Sequence, residues 1–265
     1  MILLEDPTAL SLLFHLNSEP WLNDDAYRTA AGPQEFKRPE STLAEVSLPA
    51  PSSSSLTDTI RRRHSCREFS PTTMPLSQLS TLLQDAYGIA GVTTFGDRTR
   101  LLRRSVPSAG GLFPLELYVV LRRVDGLEDG LYHYDPLGHG ARLLRRGDLF
   151  ATIAPMFYTY PFFRDANAVV LVAAVFKRVQ KKYGPRGYRY LLIEAGHVGQ
   201  NLCLRACELG LAALCMGGFV DSMINAFVGL EPRQEGVIYT VALGYDAEAA
   251  QALFHASAND IRAVG

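Results

Sequence analysis

The sequence lacks the short motifs on which most nucleotide and metal sites are built. It has no Gly-Lys dipeptide for a P-loop, and no Gly-x-Gly-x-x-Gly follows a predicted strand, as an ordinary dinucleotide site requires. There is no Gly-x-Ser-x-Gly nucleophile elbow, and the six histidines are not spaced as metal ligands. These absences disfavour P-loop enzymes, Rossmann dehydrogenases, serine hydrolases and metalloenzymes. We therefore expect no metal site.

Paired cysteines, long apolar runs and net charge are also scarce. The four cysteines form no Cys-x-x-Cys pair, so neither disulfides nor zinc are indicated. The longest strongly apolar run, Ala168 to Phe176, is too short to cross a bilayer. Met1 to Leu16 has neither the basic start nor the cleavage site of a secretion signal. With a net charge of -1 and a pI near 6.6, we expect a cytoplasmic protein that binds neither nucleic acid nor membranes.

The remaining composition is that of an enzyme-sized folded chain. Its 265 residues are 48% hydrophobic and 20% charged, which is close to globular averages. Residues 1–55 have scattered apolar positions, several prolines and a Pro/Ser-rich end, which predict an N-terminal arm and linker. Residues 56–265 should form the folded domain.

The order of predicted elements indicates an α+β fold, with helices packed on a mostly antiparallel or mixed sheet. Helices are predicted over Leu56 to Arg62, Pro75 to Tyr87, around Asp148 to Phe157, Tyr188 to Leu209 and Asp221 to Val228, with another near the C-terminus. Strands are predicted over Leu115 to Leu121, Leu131 to Tyr134, Arg142 to Arg145, Ala168 to Phe176, Ala212 to Met216 and Val237 to Leu243. Asp221 is the predicted N-cap of its helix.

One segment concentrates positive charge. Arg63, Ser65 and Arg67 occupy every second position, so in an extended backbone their side chains point the same way. Guanidinium groups bind phosphate oxygens in a bidentate manner, and a serine hydroxyl adds a donor. The pattern predicts an anion clamp. A solvated basic turn that includes Arg61 and Arg62 is the alternative.

Three further segments suit a planar ligand or proton transfer. The loop Pro107-Ser108-Ala109-Gly110-Gly111 precedes a strand, and its small residues let the backbone approach a flat ligand. Lys182-Tyr183 precedes the long helix. Gly217-Gly218-Phe219 lies between a strand and a helix, where free backbone N–H groups can donate to an acceptor. Taken singly, the alternatives are a tight surface loop for residues 107–111, a lysine and tyrosine at a helix approach for Lys182-Tyr183, and a left-handed turn for the glycine pair.

Taken together and in this order, the segments resemble the nitroreductase superfamily, specifically its SagB-type branch of thiazoline/oxazoline dehydrogenases. The resemblance extends from Phe14-His15-Leu16-Asn17-Ser18 to Gly244-Tyr245. Its motifs are Arg63-x-Ser65-x-Arg67-x-Phe69, Pro107-Ser108-Ala109-Gly110 with Pro114-x-Glu116, Lys182-Tyr183-Gly184 to Gly187-Tyr188-Arg189-Tyr190, Glu194-Ala195-Gly196-His197 to Gln200-Asn201, and Gly217-Gly218-Phe219.

The resemblance implies a nitroreductase-like, interlocked homodimer that binds FMN in two sites at the subunit interface. The residues that it assigns to FMN are Arg63, Ser65 and Arg67 for the phosphate, ribityl chain and pyrimidine edge, the partner subunit's Pro107, Ser108 and Ala109 against the isoalloxazine, and Gly217 and Gly218 near flavin N5. Gln200 and Asn201 are also assigned to the flavin, with a packing role as the alternative. Arg262 is the late arginine assigned to the phosphate.

The resemblance makes Lys182 and Tyr183 the reactive pair. Oxidation of an azoline ring removes a proton from carbon and passes a hydride to the flavin, so a base has to stand beside the cofactor. Either a tyrosine phenolate stabilised by the adjacent ammonium, or a lysine oriented by the tyrosine, suits this role.

The implied activity is FMN-dependent oxidation of thiazoline or oxazoline rings in peptide natural-product biosynthesis. Its substrate would be an azoline peptide, ribosomal or carrier-bound, and a cyclodehydratase or synthetase complex would be a further partner.

Two alternatives stay open. One is an NAD(P)H-dependent nitro or quinone reductase, and the other is a non-catalytic flavin-binding subunit of a biosynthetic complex. The reductase is weakened because residues 109–113 supply neither the Asn nor the Gln-Pro-Trp that usually follow the Pro-Ser turn in that superfamily. In addition, Gly217 stands where a glutamate is usual.

Overall fold

The computed structural model of the chain describes residues 9–18, 41, 43–95 and 99–247. The predicted C-terminal helix and Arg262 lie outside these residues. None of the helices in the described ranges has the length and apolar content needed to cross a membrane. The helices are α1 (Ala9–Asn17), α2 (Ser55–Arg62), α3 (Leu76–Tyr87), α4 (Phe150–Ile153), α5 (Tyr160–Phe163), α6 (Phe176–Tyr183), α7 (Arg186–Glu208) and α8 (Asp221–Val228).

The described strands form a seven-stranded sheet and a separate hairpin. The strands are β1 (Phe69–Ser70), β2 (Ile89–Phe95), β3 (Thr99–Arg104), β4 (Leu115–Leu121), β5 (Gly130–Asp135), β6 (Gly140–Arg146), β7 (Ala168–Val175), β8 (Ala212–Met216) and β9 (Glu235–Asp246). The large sheet has the order β1-β9-β7-β4-β5-β6, with β8 also paired to β9, while β2 and β3 pair with each other. All of these strand pairs are antiparallel. The predicted α+β fold with a mostly antiparallel sheet is therefore confirmed.

The core lies on both faces of this sheet. Along β7, Val170 and Val172 contact one hydrophobic cluster, which includes α3 and α7. Val169 and Leu171 contact the other, which includes α4, α5 and α8. Successive strand side chains point to opposite faces, so a strand covered on both sides has to be apolar throughout. This explains why the apolar run of β7 was recognisable in the sequence.

Several element boundaries and several elements differ from the predictions. The prediction that Asp221 caps α8 is wrong, because Val220 is the N-cap and Asp221 is the first helical residue. A carboxylate in the first turn still interacts favourably with the helix dipole. The sequence reading also missed α6, whose first residue was assigned to the preceding strand, and the β2–β3 hairpin. The short elements α1, α5 and β1 were not predicted either.

The antiparallel pairings bring several connections to one edge of the sheet. Leu115, which starts β4, pairs with Ala174 near the end of β7. Strands β7 and β8 both pair antiparallel with β9, so they run in the same direction, although β7 ends opposite Glu235 and β8 ends opposite Thr240. Consequently, the loop before β4 and helix α6 after β7 leave the sheet at the same end, and the glycines after β8 leave their strand in the same direction but at a point five residues away along β9.

Helix α1 lies against the start of α6 and α7. The Nδ1 atom of His15 lies 3.1 Å from the hydroxyl of Tyr188. The side-chain amide of Gln180 donates to the Ser11 hydroxyl at 3.1 Å. These contacts hold the N-terminal helix over the same two helices that carry the Lys182-Tyr183 motif and its continuation.

Candidate active site

The segment 63–67 is extended and lies along the outer edge of β8. Ser65 forms a parallel bridge with Ala213, and the Cys66 N–H donates to the Ala213 carbonyl at 3.0 Å. Cys66 is 3% exposed, whereas Ser65 and Arg67 are exposed. This alternation is the one expected of an extended chain whose odd-numbered side chains share one face.

The two arginines of this segment have no acidic partner among the described residues. In the part of the chain that the structure describes, neither Arg63 nor Arg67 forms an ion pair. Arg67 donates one hydrogen bond, to the Ser65 carbonyl at 3.2 Å. His64 lies between them in sequence and contacts Asp246 at 2.8 Å. Two guanidinium groups beside an exposed hydroxyl suit a phosphate monoester.

The glycine pair after β8 offers a free donor beside open space. The Gly218 carbonyl accepts a hydrogen bond from the Tyr158 N–H at 3.3 Å, whereas its own N–H donates to no described residue. A Cβ at Gly217 would meet no atom within 4 Å. An unused N–H next to unfilled space fits the hydrogen-bond acceptor of a planar ligand.

The arginine segment and the glycine pair lie at opposite ends of one strand edge. Ser65 pairs with Ala213 near the start of β8, and Gly218 follows the end of that strand. With a rise of about 3.3 Å per residue, the two features are separated by roughly 15 Å. A nucleotide whose flexible chain joins a phosphate to a ring system can bridge such a distance.

Lys182 and Tyr183 end helix α6 beside the loop that precedes β4. A Cβ built on Gly110 would lie 2.7 Å from Lys182 Nζ and 2.7 Å from the Tyr183 hydroxyl. The two functional groups therefore converge on one point. Gly110 has φ 63°, in the left-handed region that glycine adopts readily. The backbone conformation at this position favours glycine, and any larger residue would displace the ends of the Lys182 and Tyr183 side chains.

Neighbouring contacts hold α6 and its tyrosine in place. Tyr183 packs edge-to-face on Tyr190, with ring centroids 5.0 Å apart. One turn earlier in α6, Arg178 forms an ion pair with Glu116 of β4 at 2.5 Å. Glu116 also lies 2.9 Å from His133 Nε2. Burial acts to raise the pKa of Glu116, but the hydrogen bonds from His133 and Arg178 outweigh it and hold this pKa below its ordinary value.

A buried carboxylate anchors the same loop to α7. Glu194 is 2% exposed and accepts hydrogen bonds from the Ser108 hydroxyl at 2.5 Å and the Tyr87 hydroxyl at 2.8 Å. The Ser108 hydroxyl in turn accepts from the Phe113 N–H at 2.9 Å. Burial raises the pKa of Glu194, although both hydroxyl donors act to lower it. The Ser108 hydroxyl is thus engaged within its own subunit.

Replacing Tyr87 with phenylalanine should destabilise the fold measurably. The Tyr87 hydroxyl donates to one oxygen of Glu194 and accepts from the Leu115 N–H at 3.1 Å, so its loss leaves that oxygen and that N–H without these partners, while the other Glu194 oxygen keeps its bond from Ser108. We expect a loss of about 1–3 kcal/mol in the free energy of unfolding, measured by urea denaturation. Tyr118→Phe is the matched control, because the half-buried Tyr118 hydroxyl bonds to no described residue. Equal losses in both variants would contradict this role for Tyr87.

A cavity of about 320 Å³ lies between the β2–β3 hairpin and the loop before β4. Its wall includes Ser108, Gly111 and Phe113 from the loop that contains Gly110. Arg104 also lines it, and the Arg104 guanidinium stacks 4.4 Å from the centroid of the Tyr87 ring. The cavity therefore combines an apolar wall with a positive charge, and it is lined by residues on either side of Gly110 in the loop before β4.

The other predicted flavin residues have different surroundings. The Asn201 side-chain amide donates to the carbonyls of Asp85 at 3.1 Å and Ser105 at 3.4 Å. These bonds tie α7 to the end of α3, which is the packing role given above as the alternative. Gln200 and Pro107 are exposed, and Ala109 is half-buried.

Sequence reasoning assigned no individual role to Glu194 or Tyr87. A signal for Glu194 was present, because it falls in the apolar stripe of α7 with Leu191, Ala195 and Val198. A carboxylate at such a position is buried and needs donors from another element. Which donors these are depends on the packing of α3 on α7, and no local pattern encodes it.

Comparison with known proteins agrees with the motifs. The model of the nitroreductase family matches residues 60–245. MJ1384 of Methanocaldococcus jannaschii, which carries a nitroreductase name, is 34% identical over 187 residues, or 71% of this chain and 90% of the relative. The trifolitoxin-processing protein TfxB of Rhizobium leguminosarum bv. trifolii is 29% identical over 48% of this chain and 39% of its own length. The microcin B17-processing protein McbC of Escherichia coli is 28% identical over 50% of each chain.

Solved structures share the fold. A chain of the E. coli microcin synthetase McbBCD complex with truncated pro-MccB17 bound matches with a TM-score of 0.66 and 21% identity, over 90% of this chain and 92% of that one. A nitroreductase-like protein of Desulfovibrio desulfuricans in complex with FMN matches with a TM-score of 0.51 and 16% identity, over 75% and 90%.

The nitroreductase-like architecture predicted from the sequence is confirmed by these matches. The two toxin-processing relatives support the SagB-type branch to which the motifs point. Because the family model covers residues 60–245 and a 34% identical relative spans 71% of the chain, this protein belongs to the nitroreductase family of oxidoreductases.

Proposed function

We propose that this protein is an FMN-dependent dehydrogenase that oxidises thiazoline or oxazoline rings to thiazoles or oxazoles in a peptide natural product. The observation that carries the proposal is the convergence of Lys182 Nζ and the Tyr183 hydroxyl on one point beside Gly110. The family supplies the oxidoreductase chemistry, and two relatives are named for processing the peptides trifolitoxin and microcin B17.

The arginine segment and the glycine pair fit FMN. Arg63 and Arg67 would hold the phosphate, and the Ser65 hydroxyl would reach the ribityl chain. The free Gly218 N–H would donate to flavin N5 at the other end of β8. A structural relative contains FMN, which is in line with this assignment. When bound, FMN accepts the hydride that leaves the substrate ring.

Arg63→Ala and Arg67→Ala should each weaken FMN binding. A hydrogen bond to a charged group contributes about 1.5–3 kcal/mol, so we expect each variant to raise the dissociation constant roughly 10- to 100-fold. Fluorescence titration of the apoprotein measures this constant. Arg61→Ala and Arg62→Ala are matched controls, because both arginines are exposed on α2 just before the clamp. If all four substitutions weaken FMN binding equally, the effect comes from the loss of positive charge in general, and the assignment of Arg63 and Arg67 to the phosphate is wrong.

The catalytic pair would remove the ring proton. Lys182 Nζ and the Tyr183 hydroxyl lie close together beside Gly110, so a substrate carbon held next to them would be within reach of either candidate base. In one arrangement, the lysine ammonium stabilises a tyrosine phenolate that takes the proton. In the other, the lysine takes the proton and the tyrosine orients it. The adjoining cavity of about 320 Å³ would receive the azoline ring and its flanking residues.

We propose that the protein is a homodimer. Helix α7 is the longest helix, and its residues Leu192, Ile193, Gly196, His197 and Gln200 are exposed. Leu192 and Ile193 are 40% and 52% exposed, which places two adjacent apolar side chains on the exposed face of this helix. Association through this face would bury these two side chains.

The contact between the loop before β4 and helix α6 then determines which subunit's FMN Lys182 and Tyr183 act on. If residues 107–109 lie over the partner subunit's isoalloxazine, Lys182 and Tyr183 of the same chain also lie beside that flavin, because both contact the Gly110 position. The catalytic pair of one subunit would therefore act on the FMN that the other subunit's Arg63 and Arg67 hold.

Mixed dimers of two inactive variants should recover activity. One subunit would carry Arg63→Ala with Arg67→Ala, and the other Lys182→Ala with Tyr183→Phe. In the purified two-tag heterodimer, one of the two sites combines an intact clamp with an intact pair, so we expect about half of the wild-type activity. An inactive heterodimer, or a protein that sediments as a monomer, would refute the shared site.

The product of the reaction tests the function itself. FMN-loaded protein incubated with an azoline-containing peptide should yield a peptide lighter by two hydrogens per ring, as read by mass spectrometry. The fold relative in the McbBCD synthetase complex supports presenting the peptide together with its cyclodehydratase. An unchanged peptide mass, with FMN bound and the cyclodehydratase present, would overturn the proposal.

A further inference from the structure

Two cysteine side chains from neighbouring elements face each other below the arginine segment. Cys203 is on α7 and Cys215 is on β8, and their sulfur atoms lie 3.4 Å apart. Both are free thiols. A disulfide bond is about 2.05 Å long, so the sulfurs need to approach by only about 1.4 Å from their 3.4 Å separation.

The surroundings of this pair favour a reactive sulfur. The hydrogen bond from Cys203 lowers the pKa of Cys215 to about 7; burial opposes this shift, and Tyr239 and the positive charge of Arg63 add to it. The same hydrogen bond and burial raise the pKa of Cys203. Cys215 is therefore the sulfur of the pair that more readily forms a thiolate, which is the nucleophilic form.

The packing around the pair depends on a glycine. A Cβ at Gly199 would lie 2.5 Å from Cε1 of Tyr239 and 3.6 Å from the sulfur of Cys215. Gly199 thus allows α7 to approach β8 and β9 closely enough for the two sulfurs to meet. Cys203 is 6% exposed and Cys215 is half-buried, so a small oxidant reaches the pair through Cys215.

The other two cysteines have a different environment. The Cys66 thiol donates to the Glu68 carbonyl at 3.2 Å, and the Cys207 thiol donates to the Thr59 carbonyl at 3.6 Å. Neither lies beside a second sulfur among the described residues. They serve as internal controls.

We propose that Cys203 and Cys215 are a redox-active pair that hydrogen peroxide converts to a disulfide linking α7 to β8. The Cys215 thiolate attacks one peroxide oxygen, the O–O bond breaks, and a sulfenic acid and hydroxide form. The sulfur of Cys203 then attacks the sulfenic sulfur, the S–S bond forms, and water leaves. In total, two thiols lose two electrons and two protons, and one peroxide becomes two water molecules.

Thiol counting after mild oxidation tests this proposal. The full-length protein is treated with hydrogen peroxide, denatured, alkylated with iodoacetamide, digested and measured by mass spectrometry. We expect two alkylated cysteines in place of four, a cross-linked peptide that contains Cys203 and Cys215, and full recovery of four thiols after dithiothreitol. Four alkylated cysteines, or a cross-link that involves Cys66 or Cys207, would overturn the proposal.

Single variants separate the two chemical steps. Cys203→Ala should form no cross-link and should accumulate a sulfenic acid on Cys215, trapped by dimedone. Cys66→Ala and Cys207→Ala should still form the Cys203–Cys215 cross-link. Dimedone labelling of Cys66 or Cys207 in place of Cys215 would contradict the assigned order of attack. These readouts require no azoline substrate, so they stand or fall separately from the proposed dehydrogenase activity.

Discussion

Replacing Lys182 with alanine and Tyr183 with phenylalanine together should abolish azoline oxidation while FMN stays bound. Positioned acid–base groups contribute about 10²–10⁴-fold to rate, and both candidates for the base are removed at once. Activity is measured as loss of two hydrogens per ring by mass spectrometry, and FMN retention by the absorbance of the purified protein. The pair is remote from the clamp in sequence and lies in α6, so flavin binding should not change.

Lys181→Ala is the matched control for the double variant. Lys181 is exposed in the same last turn of α6, so its removal changes the local charge equally. It should retain wild-type turnover. The single variants Lys182→Ala and Tyr183→Phe then identify the base, since its loss should lower turnover more than loss of the orienting group. Full activity in the double variant would end the assignment of both residues.

Gly110→Ala should lower turnover about 100-fold with little loss of FMN. The added methyl would stand 2.7 Å from both Lys182 Nζ and the Tyr183 hydroxyl, so these groups have to move away from the point on which they converge. A misplacement of about 1 Å in a catalytic group can lower a rate about 10²-fold. Steady-state kinetics with an azoline peptide measures the effect, and we expect the loss to be in kcat.

The variant Gly111→Ala distinguishes displacement of the Lys182 and Tyr183 side chains from backbone strain in the loop. Gly111 has φ 66°, nearly the same as the φ of 63° at Gly110, but a Cβ at Gly111 would meet no atom within 4 Å. Both variants therefore suffer similar strain, and only Gly110→Ala crowds the pair. Equal activity losses would mean that strain in the loop, not displacement of Lys182 and Tyr183, is responsible.

Elements with strong local patterns could be predicted from the sequence. Strands β4 and β8 were predicted to the residue, because short apolar runs bounded by proline and glycine leave little choice of register. Helix α6 was missed because only Phe176 and Val179 are buried among its eight residues. The β2–β3 hairpin was missed because Val92, Leu101 and Leu102 are about half exposed and show no alternation with the core.

The sequence indicated which residues form the candidate site but not how they are arranged in space. The alternation of Arg63, Ser65 and Arg67 follows from an extended backbone, which a local pattern can indicate. By contrast, the contact of Gly110 with Lys182 and Tyr183 depends on the register of β4 against β7. That register is set by packing on both faces of the sheet, so no spacing in the sequence encodes it.

An anaerobic reduction experiment tests the central claim most directly. FMN-loaded protein is mixed without oxygen with a stoichiometric azoline peptide or with NAD(P)H, and the flavin absorbance is followed. We predict that the azoline peptide bleaches the flavin and that NAD(P)H does not. Rapid bleaching by NAD(P)H together with an unchanged spectrum in the presence of the azoline peptide would contradict the dehydrogenase and favour a nitro or quinone reductase.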